Sequence, residues 1–539
     1  MTFTRPEVDP GAPRSQPLPA PRWVGPFCGL LAAVVAVCVG LLVAALLDVN
    51  SPLDAVGSEF IDRTPKWLKI RAIDWFGTND KLALRIGMVV TISLLALVTG
   101  LFARRWPKVG PVAIGLFGVF GGYVAISRPA QDAKSAVPAL VGAIVGAALI
   151  WYLIGVIRAV DPARTMPGLS CAPKSWDRRR FVLATGTATA GAVVAAVFAQ
   201  RLESRRLEGI RVSTSSELPI VATDGSLGGD VISAAPDIPG EATLSPTTPF
   251  LTPNDDFYRI DTALSVPRIR LDTWALEIGG RVERPLRLTY GDLLARPQVE
   301  RVVTIACVSN EVGGDLIGNA IWQGVLLADL LAEVGIQSDA AQVFATSVDG
   351  WTCGFPVEAA LDGRDTMIAI GMNGEQLPLK HGFPARMIVP GLYGYVSATK
   401  WLSRIDFTTW DEAVGYWVPR GWARDAPIKT QSRIDVPRRG QSLLAGRTAI
   451  AGIAWAQQRG VAKVEVRINN GEWHKARLGT DVTIDAWRQW IYKWDATPGT
   501  YTIQVRSTDR SGETQTEQVS RPDPDGATGW HTRNVTVTR

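Results

Sequence analysis

At 539 residues, with 47% hydrophobic residues and a net charge of only +5, the chain is long enough for about three or four domains and apolar enough to include a membrane portion. Its basic residues cluster beside apolar segments rather than along one soluble face, which argues against nucleic acid as a partner. The five cysteines, Cys28, Cys38, Cys171, Cys307 and Cys353, form no CxxC pair and no Cys/His cluster, which excludes a zinc site or a disulfide framework as the organising chemistry.

Residues 1–200 read as a membrane anchor. Five apolar segments, 27–47, 86–102, 109–126, 137–157 and 181–199, approach the roughly 20 residues that a spanning helix needs. Arg104, Arg105 and Lys108 follow the second segment; Arg158, Arg164, Lys174, Arg178, Arg179 and Arg180 precede the fifth. Acids scarcely compensate these loops, so the positive-inside rule puts the N-terminus in the cytoplasm and everything after Gln200 outside. The expected location is the cell membrane, multi-pass, with the later half extracytoplasmic. Asp177-Arg178-Arg179-Arg180-Phe181-Val182-Leu183 resembles a twin-arginine export signal in an internal position; an ordinary basic flank is the competing reading. No histidine precedes His381, so the spans are expected to hold no bis-histidine haem.

Residues 201–250 are rich in Ser, Thr, Pro, Gly and Asp and read as an extracytoplasmic linker. A folded unit over 251–430 follows. Trp274, Leu276 and Ile278 alternate into Gly279-Gly280 as a strand and turn, and a capped short helix is expected over 289–294. Val302 to Ala306 is a β-branched, apolar run that reads as a buried strand. It delivers Cys307 to a loop containing Ser309, Asn310, Gly313 and Gly314; Trp322, Gln323 and Gly324 then lead into an amphipathic helix over 326–334. A lone cysteine at a strand tip suits a thiolate that holds a soft ligand, although free cysteine also packs as a small hydrophobe. Further on, Lys380-His381-Gly382-Phe383-Pro384-Ala385-Arg386 runs into a strand over 387–389, then Pro390-Gly391-Leu392-Tyr393-Gly394-Tyr395 and Thr399-Lys400-Trp401. An imidazole, a guanidinium and an ammonium around a Gly/Pro-rich loop can grip a phosphate; a solvated surface loop is the alternative.

From residue 431 to 539 short alternating runs take over. Val464, Val466 and Ile468 lead to Asn469-Asn470-Gly471, a hairpin signal, and Tyr501, Ile503 and Val505, then Val535 and Val537, give further strands. Such a run implies a β-sandwich of immunoglobulin type.

The segment C-V-S-N-E-V-G-G-D followed by W-x-G-V-x-L-x-D-L-L, and the later H-G-F-P-x-R…V-P-G…Y-G-Y…K-W, resemble the sulfite oxidase family of molybdopterin-dependent oxidoreductases. The likeness covers about Asn254 to the C-terminus and not the membrane half; joined to the apolar segments, it leads to the expectation of a bacterial, membrane-anchored member. The expected fold is multi-domain: N-terminal transmembrane α-helices read from the apolar segments, then, as the resemblance implies, an α+β molybdopterin-binding domain and a C-terminal immunoglobulin-like β-sandwich that dimerises. By the same resemblance Cys307 ligates molybdenum. Asn254, Asp255, Phe257, Tyr258, Ser309, Asn310 and Tyr395 line the pterin site, and His381, Arg386 and Lys400 hold its phosphate end. Arg259 stands where the family has an anion-binding arginine and is expected to meet substrate.

The implied activity is oxygen-atom transfer on a small sulfur or nitrogen compound, with molybdenum-pterin as cofactor, no haem, and a separate electron-transfer partner. The alternatives are a sulfoxide or N-oxide reductase with the same cofactor, and a non-catalytic surface protein with an empty pterin fold. In animal and plant sulfite oxidases, the resemblance implies, arginine follows the cysteine and helps bind sulfite. Here Glu311-Val312-Gly313 follow instead. Sulfite is therefore expected to be a poor substrate, unless Arg259 or Arg488 makes up the charge. Cys353 aligns with the family's active-site tyrosine.

Overall fold

The computed structural model describes residues 20–65, 68, 71, 75, 76, 80–128, 132–158, 178–213, 218, 248–267 and 269–539. Cys171, Arg164, Lys174 and most of the expected linker lie outside them. The chain divides into two compact units, Met1–Arg211 and Val212–Arg539.

The first unit is helical: α1 Val24–Leu47, α2 Pro52–Arg63, α3 Asp80–Arg105, α4 Val109–Ser127, α5 Val137–Arg158 and the start of α6 Arg178–Ser213. Five of the described helices, all but α2, are long and apolar enough to cross a membrane. Close backbone approach holds α1 to α3. A Cβ on Gly29 would stand 2.0 Å from the Ala96 carbonyl oxygen and 2.8 Å from Cα of Gly100. Small residues let helices meet where apolar burial alone gives no preference between neighbours. The stretch after the first span is not only loop: Ser51 caps α2, its hydroxyl accepting the Asp54 N–H at 3.1 Å. Helix α6 also overrides the expected linker, continuing through residues 201–213. Its Arg201-Leu202-Glu203-Ser204-Arg205-Arg206-Leu207 run is built mostly of strong helix formers, which outweigh the loop signal that begins farther on.

The second unit opens with β1 Ala275–Gly280, β2 Leu286–Thr289 and the helix α7 Tyr290–Ala295. Thr289 and Asp292 form a reciprocal capping box at the start of α7. Next come β3 Val299–Ala306, β4 Ile317–Leu326, α8 Leu327–Val334, β5 Gln342–Ser347, β6 Thr352–Pro356, β7 Met367–Met372, β8 Glu375–Gln376, β9 Arg386–Ile388 and β10 Leu402–Thr408. They make two mixed or antiparallel sheets. One has the order β2-β1-β10-β5-β6, with β1 and β10 parallel; the other runs β3-β4-β7-β8, with β9 also on β7. Trp322, Gln323 and Gly324 belong to β4 rather than to a lead-in loop. The first nine residues of β4 are buried on both faces, so its sequence shows no alternation to read.

The remaining strands are β11 Gln431–Val436, β12 Ser442–Leu444, β13 Gly446–Trp455, β14 Val461–Ile468, β15 Trp473–Lys475, β16 Arg477–Leu478, β17 Arg488–Ala496, β18 Gly499–Asp509 and β19 His531–Thr538. They form two sheets, β11-β13-β17-β16 and β12-β19-β18-β14-β15. Ile434, Ile450 and Trp490 from the first and Val464, Ile503 and Val535 from the second share one core. Each such side chain contributes about 1.5–3 kcal/mol by leaving water. Asn469 and Asn470 take φ of 51° and 58°, the left-handed pair that the tight turn between β14 and β15 requires.

This pair of sheets also completes the edge of the other half. Strand β3 is an edge strand, and the open side of Thr304 is filled from the loops that connect the C-terminal strands. Its N–H donates to the Asp485 carbonyl at 2.9 Å, Gln457 Nε2 donates to its carbonyl at 3.0 Å, and its hydroxyl accepts the Trp487 N–H at 2.7 Å. The strand that presents Cys307 is thereby held on both sides.

Candidate active site

Val302 to Ala306 are all buried, and β3 ends by turning Cys307 into the loop before β4. Asn310 clamps that loop. Its N–H donates to the Cys307 carbonyl at 3.0 Å, and its Oδ1 accepts the Leu316 N–H at 2.9 Å. The Cys307 N–H donates to the Leu316 carbonyl at 2.9 Å, closing the loop base. Gly313 takes φ of 77° with the His531 ring against it, and a Cβ there would lie 2.3 Å from that ring. Cys307 is 8% exposed. Burial raises its pKa, while hydrogen bonds from the Ser309 N–H and hydroxyl, and the charge of Lys400, act the other way. This is the surrounding a thiolate needs: donors aimed at sulfur and a cation close by.

Arg386 begins β9 and is 4% exposed. Its guanidinium lies 4.8 Å from the Trp322 ring and donates through Nη1 to the His381 carbonyl at 2.9 Å; its Nε is buried with no acceptor. Among the described residues no carboxylate pairs with it, and burial lowers its pKa to about 10. A buried cation left open in this way costs several kcal/mol unless an anion arrives.

His381 is 1% exposed and its Nε2 donates to the Asn254 carbonyl at 2.8 Å. Burial, with the charges of Arg386, Lys400 and Lys380, lowers its pKa to about 4, so the ring is neutral. Lys400 donates to Asp261 Oδ2 at 2.8 Å, and Arg259 Nε donates to the same oxygen at 2.8 Å. Burial lowers the Lys400 pKa to about 8 although Asp261 opposes it. Gly382, at φ 119°, backs directly onto Lys400: a Cβ would lie 3.1 Å from its Cα.

The other residues singled out from sequence divide. Tyr258 stacks on Phe257 at 5.4 Å, and the charges of Cys307 and Arg386 act on its hydroxyl, whose pKa burial raises. Phe257 is core, edge-on to Trp322 and to His381. Asn254 offers its carbonyl to His381, but its side-chain amide donates to the Met372 carbonyl at 3.2 Å and to Glu375 at 3.3 Å. Asp255 points outward, paired with Lys380 at 2.9 Å. The Tyr395 hydroxyl donates to the Ala423 carbonyl at 2.5 Å. Cys353 is buried against the Thr399 hydroxyl at 3.0 Å, and burial pushes its thiol up to about 12. Arg488 donates to the Gly479 and Val461 carbonyls at 2.9 and 3.1 Å, within the C-terminal sheets. Arg259 has its Nε held by Asp261, which leaves its Nη groups for an anion.

Three contributors escaped the sequence reading. Asp261 joins Arg259 to Lys400, Trp322 carries Arg386, and Tyr393 senses the charges of Asp525 and Cys307, its pKa pushed up to about 12 mainly by burial. Trp322 and Tyr393 stood inside the quoted motifs without a site role, and Asp261 is the acid two residues after Arg259.

Residues 263–417 match the family model for the oxidoreductase molybdopterin binding domain. An uncharacterised oxidoreductase of Bacillus subtilis, YuiH, is 35% identical over 149 residues, 28% of this chain and 72% of that protein. Human mitochondrial sulfite oxidase is 30% identical over 294 residues, 46% of this chain and 53% of that protein. The chain belongs to the sulfite oxidase family of molybdopterin oxidoreductases. Residues 263–417 therefore carry an oxidoreductase molybdopterin-binding domain. The chain spans about half the length of the human enzyme it matches. A solved structure, the sulfane dehydrogenase SoxCD from Paracoccus pantotrophus, is 26% identical with a TM-score of 0.46, covering 51% of this chain and 81% of that one.

The residues present fit the family's cofactor. A thiol surrounded by donors suits a soft metal, and a cluster of buried cations with one unsatisfied Nε suits an anionic tail.

Proposed function

We propose that this chain is a membrane-anchored molybdenum-pterin oxidoreductase of the sulfite oxidase type, transferring an oxygen atom to or from a small sulfur or nitrogen compound. One observation carries the reading: the donor-lined Cys307 thiol shares a buried region with Arg386, whose Nε has no acceptor. Cys307 would ligate molybdenum; Tyr258 and the Asn254 main chain would border the pterin; His381, Arg386 and Lys400 would meet its phosphate end. When bound, the cofactor supplies two-electron redox chemistry and oxygen-atom transfer between water and substrate.

The chain's own side chains position and charge that site. Ser309 steadies the thiolate with two donors. Trp322 fixes the plane of Arg386. Asp261 takes one hydrogen bond from each of Lys400 and Arg259 and leaves their other N–H groups for an anion. Neutral His381 donates at Nε2 and keeps Nδ1 as an acceptor.

Residues 1–200 serve as the anchor in this reading, with basic loops inside and the catalytic half outside. Residues 251–430 form the cofactor domain, and residues 431–539 form an immunoglobulin-like sandwich suited to dimerisation. Electrons pass through a separate partner, because no haem is expected on this polypeptide. Metal, pterin and optical analysis of the full chain in detergent tests the whole. Near-stoichiometric molybdenum and pterin without haem absorbance is the expected result, with turnover on a panel of sulfite, sulfoxides and N-oxides. A folded chain that never acquires molybdenum overturns it.

A further inference from the structure

A cleft of about 430 Å³ opens beside the loop that starts at Cys307, and nothing derived above uses it. That volume falls within the range of small-molecule sites, roughly 300–1,000 Å³. Val312 forms one wall, and Arg439, Trp530, Thr532, Arg533 and Asn534 form much of the rest; no Asp or Glu lines it. Arg533 comes from β19, with its Nε buried and without an acceptor. Arg439 is exposed on the turn after β11, and among the described residues it makes no ion pair. One acid lies close, Asp435, but it accepts Arg433 Nε at 2.6 Å and the Thr248 hydroxyl at 2.5 Å. Arg533 feels the attraction of Asp435 and the repulsion of Arg433 and Arg439. Asp435 thus serves Arg433 and Arg533 while already engaged, and Arg439 and Arg533 both line a cleft that no Asp or Glu lines.

The same elements hold the Cys307 loop. Arg433 Nη1 donates to the Gly314 carbonyl at 2.8 Å, and the His531 ring lies against Gly313. His531 accepts the Ile434 N–H at Nδ1 at 2.8 Å, which leaves its Nε2 protonated on the side of the loop. Trp530 is fixed by its Nε1, which donates to the Gln515 carbonyl at 2.9 Å, and by the edge of Trp473 at 5.0 Å. The cleft is therefore a built surface, and its one wall on the catalytic side is the segment that carries Glu311 and Val312 where a cation is lacking.

We propose that this cleft binds an oxyanion group of the sulfate or phosphate class between Arg439 and Arg533, and that its occupancy steadies the Val312–Gly314 loop. Arginine forks match tetrahedral oxyanions, and positive charge brought from β19 and the turn after β11 serves the loop that has none of its own. The site stands independently of the cofactor assignment, since neither arginine belongs to the pterin region.

The test titrates the full chain in detergent with sodium sulfate and with inorganic phosphate at constant ionic strength, using sodium chloride as the control and Trp emission and calorimetry as readouts. Saturable binding absent with chloride is expected. Arg439→Gln and Arg533→Gln should each weaken it about tenfold to a hundredfold, as the loss of one charge-assisted contact implies. Arg439 is exposed, so its variant keeps the test open even if Arg533→Gln fails to fold. Amide exchange at Val312, Gly313 and Gly314 should slow on binding. Preference for sulfate identifies a sulfur oxyanion as the natural occupant, and preference for phosphate identifies a phosphorylated one; either supports the site. Binding no stronger than chloride, or unchanged in Arg439→Gln, overturns it, and unchanged exchange in the loop overturns the coupling.

Discussion

Asp261 Oδ2 receives Lys400 Nζ and Arg259 Nε, both at 2.8 Å, so one carboxylate oxygen joins two cations in a buried region that also contains Arg386. Removing the acid strands the cations. Asp261→Asn should destabilise the cofactor-free protein by about 3 kcal/mol, the usual cost of breaking a buried pair. It should cost the cofactor-loaded protein distinctly less, because the cofactor's phosphate offers Lys400 a replacement anion. Melting curves of both forms check this. Equal losses with and without cofactor would remove Lys400 from the phosphate end.

The strand into Cys307, the paired Gly loop and the His381–Lys400 run were legible because each concentrates chemistry in consecutive residues. Helix caps and the Asn469-Asn470 turn were legible for the same local reason. What stayed hidden depends on chain contacts far apart in sequence. Trp322 looked like a loop residue because β4 is buried on both faces and loses its alternation. Arg488 looked like a free cation until the carbonyls of Gly479 and Val461 were placed beside it. For Asn254 the sequence did not reveal that its carbonyl meets His381 and its amide closes onto Met372 and Glu375. Arg439 and Arg533 lie ninety-odd residues apart in sequence and share a cleft only through the fold.

Two buried neutral histidines make the second unit acid-sensitive. Folding lowers the pKa of His381 to about 4 and of His531 to about 3, mainly by burial, from an ordinary value near 6.5. Between those values the unfolded chain binds the extra protons, so stability falls as pH drops below about 6.5 and the slope persists to about pH 4. Each histidine contributes at most about 1.4 kcal/mol per pH unit in that window. His381→Gln, which keeps a donor for the Asn254 carbonyl, should flatten the melting temperature between pH 6.5 and 4. A variant with the parent's full acid slope would show that His381 is not the group titrating.

Cys307→Ser tests the proposed metal ligand directly. A hydroxyl is a harder and far weaker donor than a thiolate, yet it is close in size and can still accept the Ser309 donors. The variant should fold with an unchanged melting temperature to within a few degrees, retain pterin, and lose turnover to background. Molybdenum, pterin and activity are measured on one preparation. Full activity in the variant would end the assignment of Cys307 to the metal.

The last prediction concerns which side of the membrane the catalytic half occupies. Helix α6 opens with Arg178, Arg179 and Arg180, and its first turn holds no acid. The N-terminus of a helix carries partial positive charge, so a cation there is disfavoured by roughly 0.3–1 kcal/mol. Three cations in that turn oppose the helix dipole, and two readings give them a role. If only their charge is read, as loop orientation requires, lysine serves as well as arginine. If the guanidinium pair is read, as in an export signal, lysine does not, because it lacks the planar fork. The double substitution Arg178→Lys, Arg179→Lys preserves every charge and separates the two. The catalytic half is expected to remain inside, protected from protease added to intact cells and cleaved only after lysis. Normal exposure of the double variant would refute the signal and leave loop charge as the orienting force.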